Sequence, residues 1–566
     1  GVYLRIMHGP VSAPLPMSRQ HLLSATTMHT VPEILIERAQ AEGLGHFFGL
    51  PSSGVLLELL EAGRRCGVDF VSSAHESSGA ISAAYYGYFK GCAGLAIGIQ
   101  GPGAGNMASG AVNAQYERKP VVCVCECPAA GDYGNWGQQG DHRAMFKSAV
   151  RARWRIDAEN TAQAAYEAFR QAGQLRLGPV LLELPRNLGQ SEGNATWTPV
   201  ADVPPTDPDP RALDALVEMV ASFRRPVIIA GDDVRRAGLI PQLAALAAVL
   251  KAAVLVTMDA RGVYDETDPR FGCVYIGTQP PHALYRSFLQ EADGVLIVGA
   301  DGRMKEARWD VDVPVAELVV AAEFPALSDA PWLRVDGCLA PSLARLAALD
   351  NEKGFPVEQI AELRRGVHSR FVRPAEARLA VNDLIAIARE QLPADGLVFA
   401  ETGVFQSMLE HSWPVRVPDT FFGSTVGRTM GLTIPALLGA RLACPQRPML
   451  GFTTDGSALM RLGDLETMAR AGAAAPLIVA NDGALGTIRA QQRYKGLDDY
   501  GLALSMVDFA AVAQAVGLHG VRVDTPEGFA VALREALVAE RATVIDARVD
   551  PQAYRDSFMA TTGIVP

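Results

Sequence analysis

No block of Lys or Arg runs through this sequence, and its formal charge is −11. Gripping nucleic-acid phosphates takes clustered cations that release counterions, so nucleic acid is not an expected partner. Nor is any apolar run long enough to span a bilayer. The longest, residues 239–258, is interrupted by Gln242 and Lys251 and reads as a helix followed by a strand. No basic segment leads into a continuous apolar stretch and a cleavage site, so no secretory signal is expected. The chain begins at Gly1, and Met17 and Met28 are candidate natural starts. Short-period repeats and low-complexity tracts are missing as well. Cysteine is sparse, eight in 566 residues, but Cys123, Cys125 and Cys127 alternate in VVCVCECP and so share one face of a strand. Zinc sites favour C-x2-4-C spacing, so a buried cysteine stripe is the preferred reading over metal ligation. Reduced thiols without a secretory signal point to the cytoplasm, with no membrane partner.

What is present is an ordinary globular balance, 49% apolar and 20% charged residues. The length is well beyond the roughly 250–300 residues at which one core stops growing, so three domains are expected. Short apolar runs bounded by Gly or Pro, such as GLAIGIQ, PVVCVCE and PVLLELP, suit strands buried on both faces of a parallel sheet. Helical stretches alternate with them, which implies βαβ units. In the helical stretch 77–88 the small residues permit close packing. The fold class is therefore α/β, with three doubly wound parallel-sheet domains at 28–197, 210–350 and 374–549. The seam TPVADVPPTDPDP separates the first two, and a charged helical seam at 351–373 separates the last two.

The strongest local signal lies in the third block. In GFTTDGSALMRLGDLETMARAGAAAPLIVANDG, a strand ends in Asp455-Gly456-Ser457, a helix follows, and a second strand ends in Asn481-Asp482-Gly483. Oxygen donors at the carboxyl ends of two parallel strands meet in the crevice where open α/β sheets bind ligands. Asp455 and Asn481 are hard ligands suited to Mg²⁺ or Ca²⁺ bridging a diphosphate, and Gly456 and Ser457 open a helix whose N–H groups can receive phosphate. Either turn alone is a common β-turn sequence; strand–helix–strand between the two makes the site the better reading. The segment resembles the diphosphate-and-metal motif of thiamine diphosphate enzymes, GDG followed by NN, with Thr454 and Ala480 departing from it. The resemblance implies the Gly483 carbonyl as a third metal ligand.

A second stretch, AHESSGAISAAYYGYFKGCAGLAIGIQGPGAGNMASGAVNAQYERKPVVCV, resembles the pyrimidine-binding domain of the acetolactate synthase and 2-oxo acid decarboxylase group. Glu76 stands in the place of the family's catalytic Glu, with Gly101, Pro102, Gly103 and Asn106 following in the glycine-rich turn. The resemblance implies that Glu76 shares a proton with the aminopyrimidine ring, which readies the cofactor to lose its own C2 proton. On its own, an H-E pair reads as a surface carboxylate favoured by the helix dipole. His75 either polarises substrate or orients the turn.

A third stretch, STVGRTMGLTIPALLGARLACPQRP, resembles the family segment that props the cofactor into a bent form. Met430 holds the prop position, and Arg428 the position whose backbone carbonyl meets the 4′-amino group. Met430 reads equally as core filler. ETGVFQS resembles the loop that begins the family's diphosphate domain, which implies that Gly403, Val404 and Phe405 line the cofactor by backbone. Gln138, Gln139 and His142 fall where a polar pocket residue occurs in the family, or in a plain surface loop. Arg489, Gln491, Gln492 and Arg493 flank the substrate opening or form a wet helix face. In the central block VGADGRMKEARWD replaces the family's G-x-R-x-D-R pattern, so FAD is weighed as a second cofactor and not favoured. Arg303, Lys305 and Arg308 read by default as a solvated charged face rather than a nucleotide site.

The resemblance spans nearly the whole chain. It implies a thiamine diphosphate- and divalent-metal-dependent enzyme that decarboxylates a 2-oxo acid and ligates the acyl unit to a second carbonyl. No H-H pair is present, which weakens a simple acetaldehyde-releasing decarboxylase. The alternatives are a lyase acting on an acyl-CoA or a C–C bond, and an inactive cofactor-binding homologue. Sites shared between subunits make a homodimer the minimum and a homotetramer the expected assembly.

Overall fold

The computed structural model describes residues 29–134, 137–201, 204–277, 283–300, 309–321 and 332–550. Arg303, Lys305, Arg308 and Met28 lie outside these residues. Three six-stranded sheets are present, each parallel, as the buried apolar runs predict. The first contains β1 (His46–Gly49), β2 (Asp69–Ser72), β3 (Gly94–Gly98), β4 (Val121–Cys127), β5 (Ala152–Arg155) and β6 (Pro179–Pro185). The second contains β7 (Pro226–Ala230), β8 (Ala253–Thr257), β9 (Phe271–Tyr275), β10 (Gly294–Val298), β11 (Val315–Val319) and β12 (Trp332–Asp336). The third contains β13 (Leu397–Ala400), β14 (Phe421–Gly423), β15 (Met449–Thr454), β16 (Pro476–Asn481), β17 (His519–Val523) and β18 (Thr543–Arg548).

The first and third sheets have the same strand order. It runs β2-β1-β3-β4-β6-β5 in one and β14-β13-β15-β16-β18-β17 in the other. The middle sheet runs β12-β11-β10-β7-β8-β9, which read from its other edge is the dinucleotide-fold order 3-2-1-4-5-6. The apolar run at 239–258 resolves into helix Ile240–Val249 and β8. The charged seam contains helix Val357–His368, whose Ile360, Leu363 and Val367 are buried in a core shared by the second and third sheets.

Helix Glu76–Lys90 of the first domain packs along helix Thr433–Ala443 of the third. Small residues allow this. A Cβ on Gly439 would stand 2.1 Å from the Ser82 carbonyl oxygen, and the Ser82 hydroxyl donates to the Pro435 carbonyl at 2.9 Å. Ile81 and Tyr85 enter one core with Phe399, Phe422 and Leu437. The first and last thirds of the chain are thus joined by packing within one molecule. On β4, Cys123, Cys125 and Cys127 are buried. Burial pushes the Cys123 thiol up to about 12.

Candidate active site

The first half-site is built on the N-terminus of helix Glu76–Lys90. His75 is its N-cap, with Nδ1 accepting from the Ser77 N–H, so His75 orients the turn. Glu76 is not the surface carboxylate that its sequence context alone suggests; it is 7% exposed. Its Oε2 accepts from Asn106 Nδ2 at 3.0 Å. Its Oε1 lies 3.0 Å from where a Cβ on Gly103 would be, so the glycine keeps one carboxylate oxygen uncovered. The turn before Gly103 is fixed from below. Gly101 has φ +64, and its N–H donates to His142 Nε2 at 3.1 Å. An accepting Nε2 puts the ring proton on Nδ1, which lies 3.5 Å from Glu183 Oε1. His142 is therefore a buried support of the turn. Gln139 binds the Asp132 carbonyl and Gly134 N–H, as in a plain loop, while the Gln138 carbonyl crowds the open side of Gly101.

The second half-site lies at the carboxyl ends of β15 and β16. Asp455 is buried, and its carboxylate accepts N–H groups of Gly456 (2.7 Å), Gly483 (2.8 Å) and Ala484 (3.2 Å). Burial pushes its carboxyl upward against these bonds. Asn481 donates through Nδ2 to Asp546 Oδ1 and the Val507 carbonyl. Its Oδ1 is buried without a hydrogen-bond partner, as is Ser457 Oγ. Thr454 pairs with Ala480, so Asp455 and Asn481 follow at the ends of adjacent strands, and orphaned buried oxygens there fit a cation or phosphate position. The Gly483 carbonyl accepts from the Leu504 N–H at 2.8 Å, leaving one lone pair. Among the described residues no three His, Cys, Asp or Glu side chains form a metal cluster. The set here is mixed: carboxylate, amide and carbonyl.

From sequence Asp482 reads as a turn residue that begins the segment, residues 482–500, flanking the substrate opening. The Ala484 N–H donates to Asp482 Oδ1 as well as to Asp455 Oδ2, both at 3.2 Å, so the two carboxylates converge. Burial, reinforced by Asp455, pushes the Asp482 carboxyl up to about 7. The acidic residue inside N-D-G was the signal available for it.

Met430 borders this crevice, and Gly403 lies against Thr487. Met430 Cε is 3.6 Å from the position a Cβ on Gly456 would take, and a Cβ on Gly403 (φ +128) would meet Thr487 Oγ1 at 3.3 Å. Gly403 caps helix Val404–Ser412, while the Phe405 ring sits in the core 4.9 Å from Phe452. Arg428 has φ +45 and sends its side chain out toward Met258. At the rim, helix Gly486–Tyr494 buries none of its side chains. Arg493 is paired with Asp499 and Gln492 with the Tyr500 backbone, so both hold the following turn.

Two carboxylate centres are thus present, Glu76 beside a glycine-rich turn and Asp455 at the end of β15. Residues 29–147 match the family model described as thiamine pyrophosphate enzyme, N-terminal TPP binding domain. Residues 213–319 match the central domain, and residues 401–547 the C-terminal TPP binding domain. The chain is 25% identical over 549 residues to a probable acetolactate synthase large subunit of Methanocaldococcus jannaschii, covering 92% of each. It is 26% identical over 544 residues to the acetolactate synthase large subunit of Parasynechococcus marenigrum, covering 91% of this chain and 86% of the other. It is 25% identical over 529 residues to the acetolactate synthase isozyme 2 large subunit of Escherichia coli, covering 91% and 95%. No described helix is long and apolar enough to cross a membrane. With three successive domains of one enzyme family matched in order, the chain belongs to the thiamine pyrophosphate (thiamine diphosphate) enzymes, in their acetolactate synthase-like group.

Proposed function

We propose that this enzyme, with thiamine diphosphate and Mg²⁺ or Ca²⁺, decarboxylates a 2-oxo acid and transfers the remaining acyl unit to a second carbonyl compound. The observation that supports the reading is the crevice at the ends of β15 and β16, where Asp455 and Asp482 share the Ala484 N–H, Met430 lies beside Gly456, and Asn481 Oδ1 is buried without a partner. Asp455, Asn481 and the Gly483 carbonyl would hold the metal, with Asp482 adding charge. Gly456 and Ser457 would receive the diphosphate, and Gly403 and the backbone around it would line the same crevice. When bound, the cofactor supplies a nucleophilic carbon and an electron sink.

Each residue then has a physical task. Glu76, buried and bonded by Asn106, holds or releases a proton at the pyrimidine end. Met430, beside Gly456, would support the bound cofactor from below, and the Arg428 carbonyl would accept from its amino group. In the homodimer or tetramer expected of this family resemblance, Glu76 of one subunit serves the Asp455 site of another. The cytoplasm is the proposed compartment, and FAD is not part of the proposal.

Two measurements test this. Calorimetric titration should show thiamine diphosphate binding that requires Mg²⁺. Incubation of the loaded enzyme with a panel of 2-oxo acids, alone and with a second carbonyl compound, should give CO₂ and a ligated product by mass spectrometry. Absence of binding refutes the cofactor reading. Binding with turnover only of acyl-CoA substrates favours the lyase alternative, and binding without C2-proton exchange favours an inactive homologue.

A further inference from the structure

The segment carrying Arg428 and Met430 is held at both ends by buried carboxylates from different domains. Glu117 follows helix Pro102–Tyr116 in the N-terminal domain and is 8% exposed. It accepts from the Thr425 N–H (3.2 Å), the Thr425 hydroxyl (2.7 Å) and the Gly427 N–H (3.2 Å). Glu401, fully buried after β13, accepts from the N–H groups of Gly431 (3.0 Å), Leu432 (3.3 Å) and Thr433 (3.3 Å). Between the two anchors Arg428 adopts φ +45, a backbone state that persists only where its surroundings over-determine it. Glu117 is itself fixed. Two residues on, Lys119 donates to the Glu117 carbonyl at 2.9 Å and places its ammonium 4.3 Å from the centre of the Tyr88 ring.

We propose that Glu117 is a positioning residue for the cofactor, setting the Met430 turn of the third domain from the first domain of the same chain. The inference rests on the reading of Arg428 and Met430 given under the proposed function. A carboxylate only accepts, and three donors converge on this one. An isosteric amide must turn its NH₂ against at least one of them, so even a shape-preserving substitution loosens the turn. Glu401 cannot compensate, because its bonds lie beyond Met430 on the other side.

The test compares the wild type with Glu117→Gln and with Thr425→Val, which keeps both N–H contacts and loses only the hydroxyl. In cofactor-free protein, hydrogen exchange by mass spectrometry should show residues 424–433 exchanging roughly ten-fold faster in Glu117→Gln, with β15 unchanged. The dissociation constant for thiamine diphosphate at saturating Mg²⁺ should rise by a similar factor, and C2-proton exchange of the bound cofactor should slow. Thr425→Val should move each readout the same way by less, and it decides the matter if the Gln variant does not fold. Wild-type cofactor affinity and C2 exchange in the variants overturn the inference, even if the segment exchanges faster. A wild type that binds no thiamine diphosphate with Mg²⁺ overturns the functional reading, and the inference falls with it. Indifference of the variants alone, beside a wild type that binds, sinks only the inference.

Discussion

Asp464 offers a perturbation whose size follows from the structure. It lies on helix Leu462–Arg470, is 2% exposed, and accepts from the Ser78 hydroxyl at 2.7 Å, two residues beyond Glu76. Burial pushes its carboxyl up to about 6 from an ordinary 3.8. An acid raised on folding favours the native state only while protonated, so its contribution is complete below 3.8 and is lost as pH rises toward 6. A shift of about two units corresponds to at most about 3 kcal/mol. Asp464→Asn keeps an oxygen for Ser78 and removes the charge. It should therefore stabilise the cofactor-free protein most above pH 6.5, by about 1 kcal/mol near pH 4.5, and hardly at all below pH 3.8. Thermal unfolding of both proteins at half-unit steps from pH 4.5 to 8 reads this directly. The gap between midpoints should widen about three-fold between pH 4.5 and 6.5 and then stay constant. A gap that ignores pH, or an Asn variant less stable at pH 8, refutes the reasoning.

Other perturbations address the site and the scaffold. Glu76→Gln should lower turnover by roughly 10²–10⁴-fold while cofactor affinity holds, since the amide oxygen still accepts from Asn106; unchanged steady-state turnover would remove Glu76 from proton transfer. Apparent Mg²⁺ affinity, measured with thiamine diphosphate present, should weaken as pH falls from 8 to 6, because a proton on Asp482, held to about 7, competes with the metal. Asp482→Asn should flatten that dependence, and an equally steep profile in the variant would show that another group is responsible. Gly439→Val puts a side chain where only 2.1 Å separates the Cβ position from the Ser82 carbonyl. It should cost about 3 kcal/mol or more and lower the thermal midpoint; an unmoved midpoint would disprove the close approach.

Local pattern made much of this molecule readable in advance. Apolar runs between Gly and Pro identify strands buried on both faces, and Asp455 and Asn481 at two strand ends mark the crevice. What stayed hidden depends on distance along the chain. Glu117 and Thr425 are 308 positions apart, and nothing in AQYERKP says which donors will meet that carboxylate. Glu401 reads as an ordinary turn acid until three N–H groups, 30 to 32 residues on, are seen to converge on it. Asp482 was overlooked for another reason. Its neighbour Asn481 carried the recognised pattern, and only their side-chain partners show that the amide leans toward β18 while Asp482 meets Asp455. Strand order, too, is absent from periodicity, so the shared arrangement of the first and third sheets, only weakly legible in the sequence, is fixed by pairing.

The helix-on-helix contact between the two ends of this polypeptide bears on its birth as well as its catalysis. Ser78 and Asp464 are separated by 386 positions, and helix Thr433–Ala443 is synthesised long after helix Glu76–Lys90. At about 5–20 residues per second, a ribosome leaves Ile81 and Tyr85 without their final covering for roughly 20–70 s. During that interval the nascent chain displays a greasy stripe with no native partner, which makes early chaperone engagement and stalling-induced aggregation the characteristic hazards of its production.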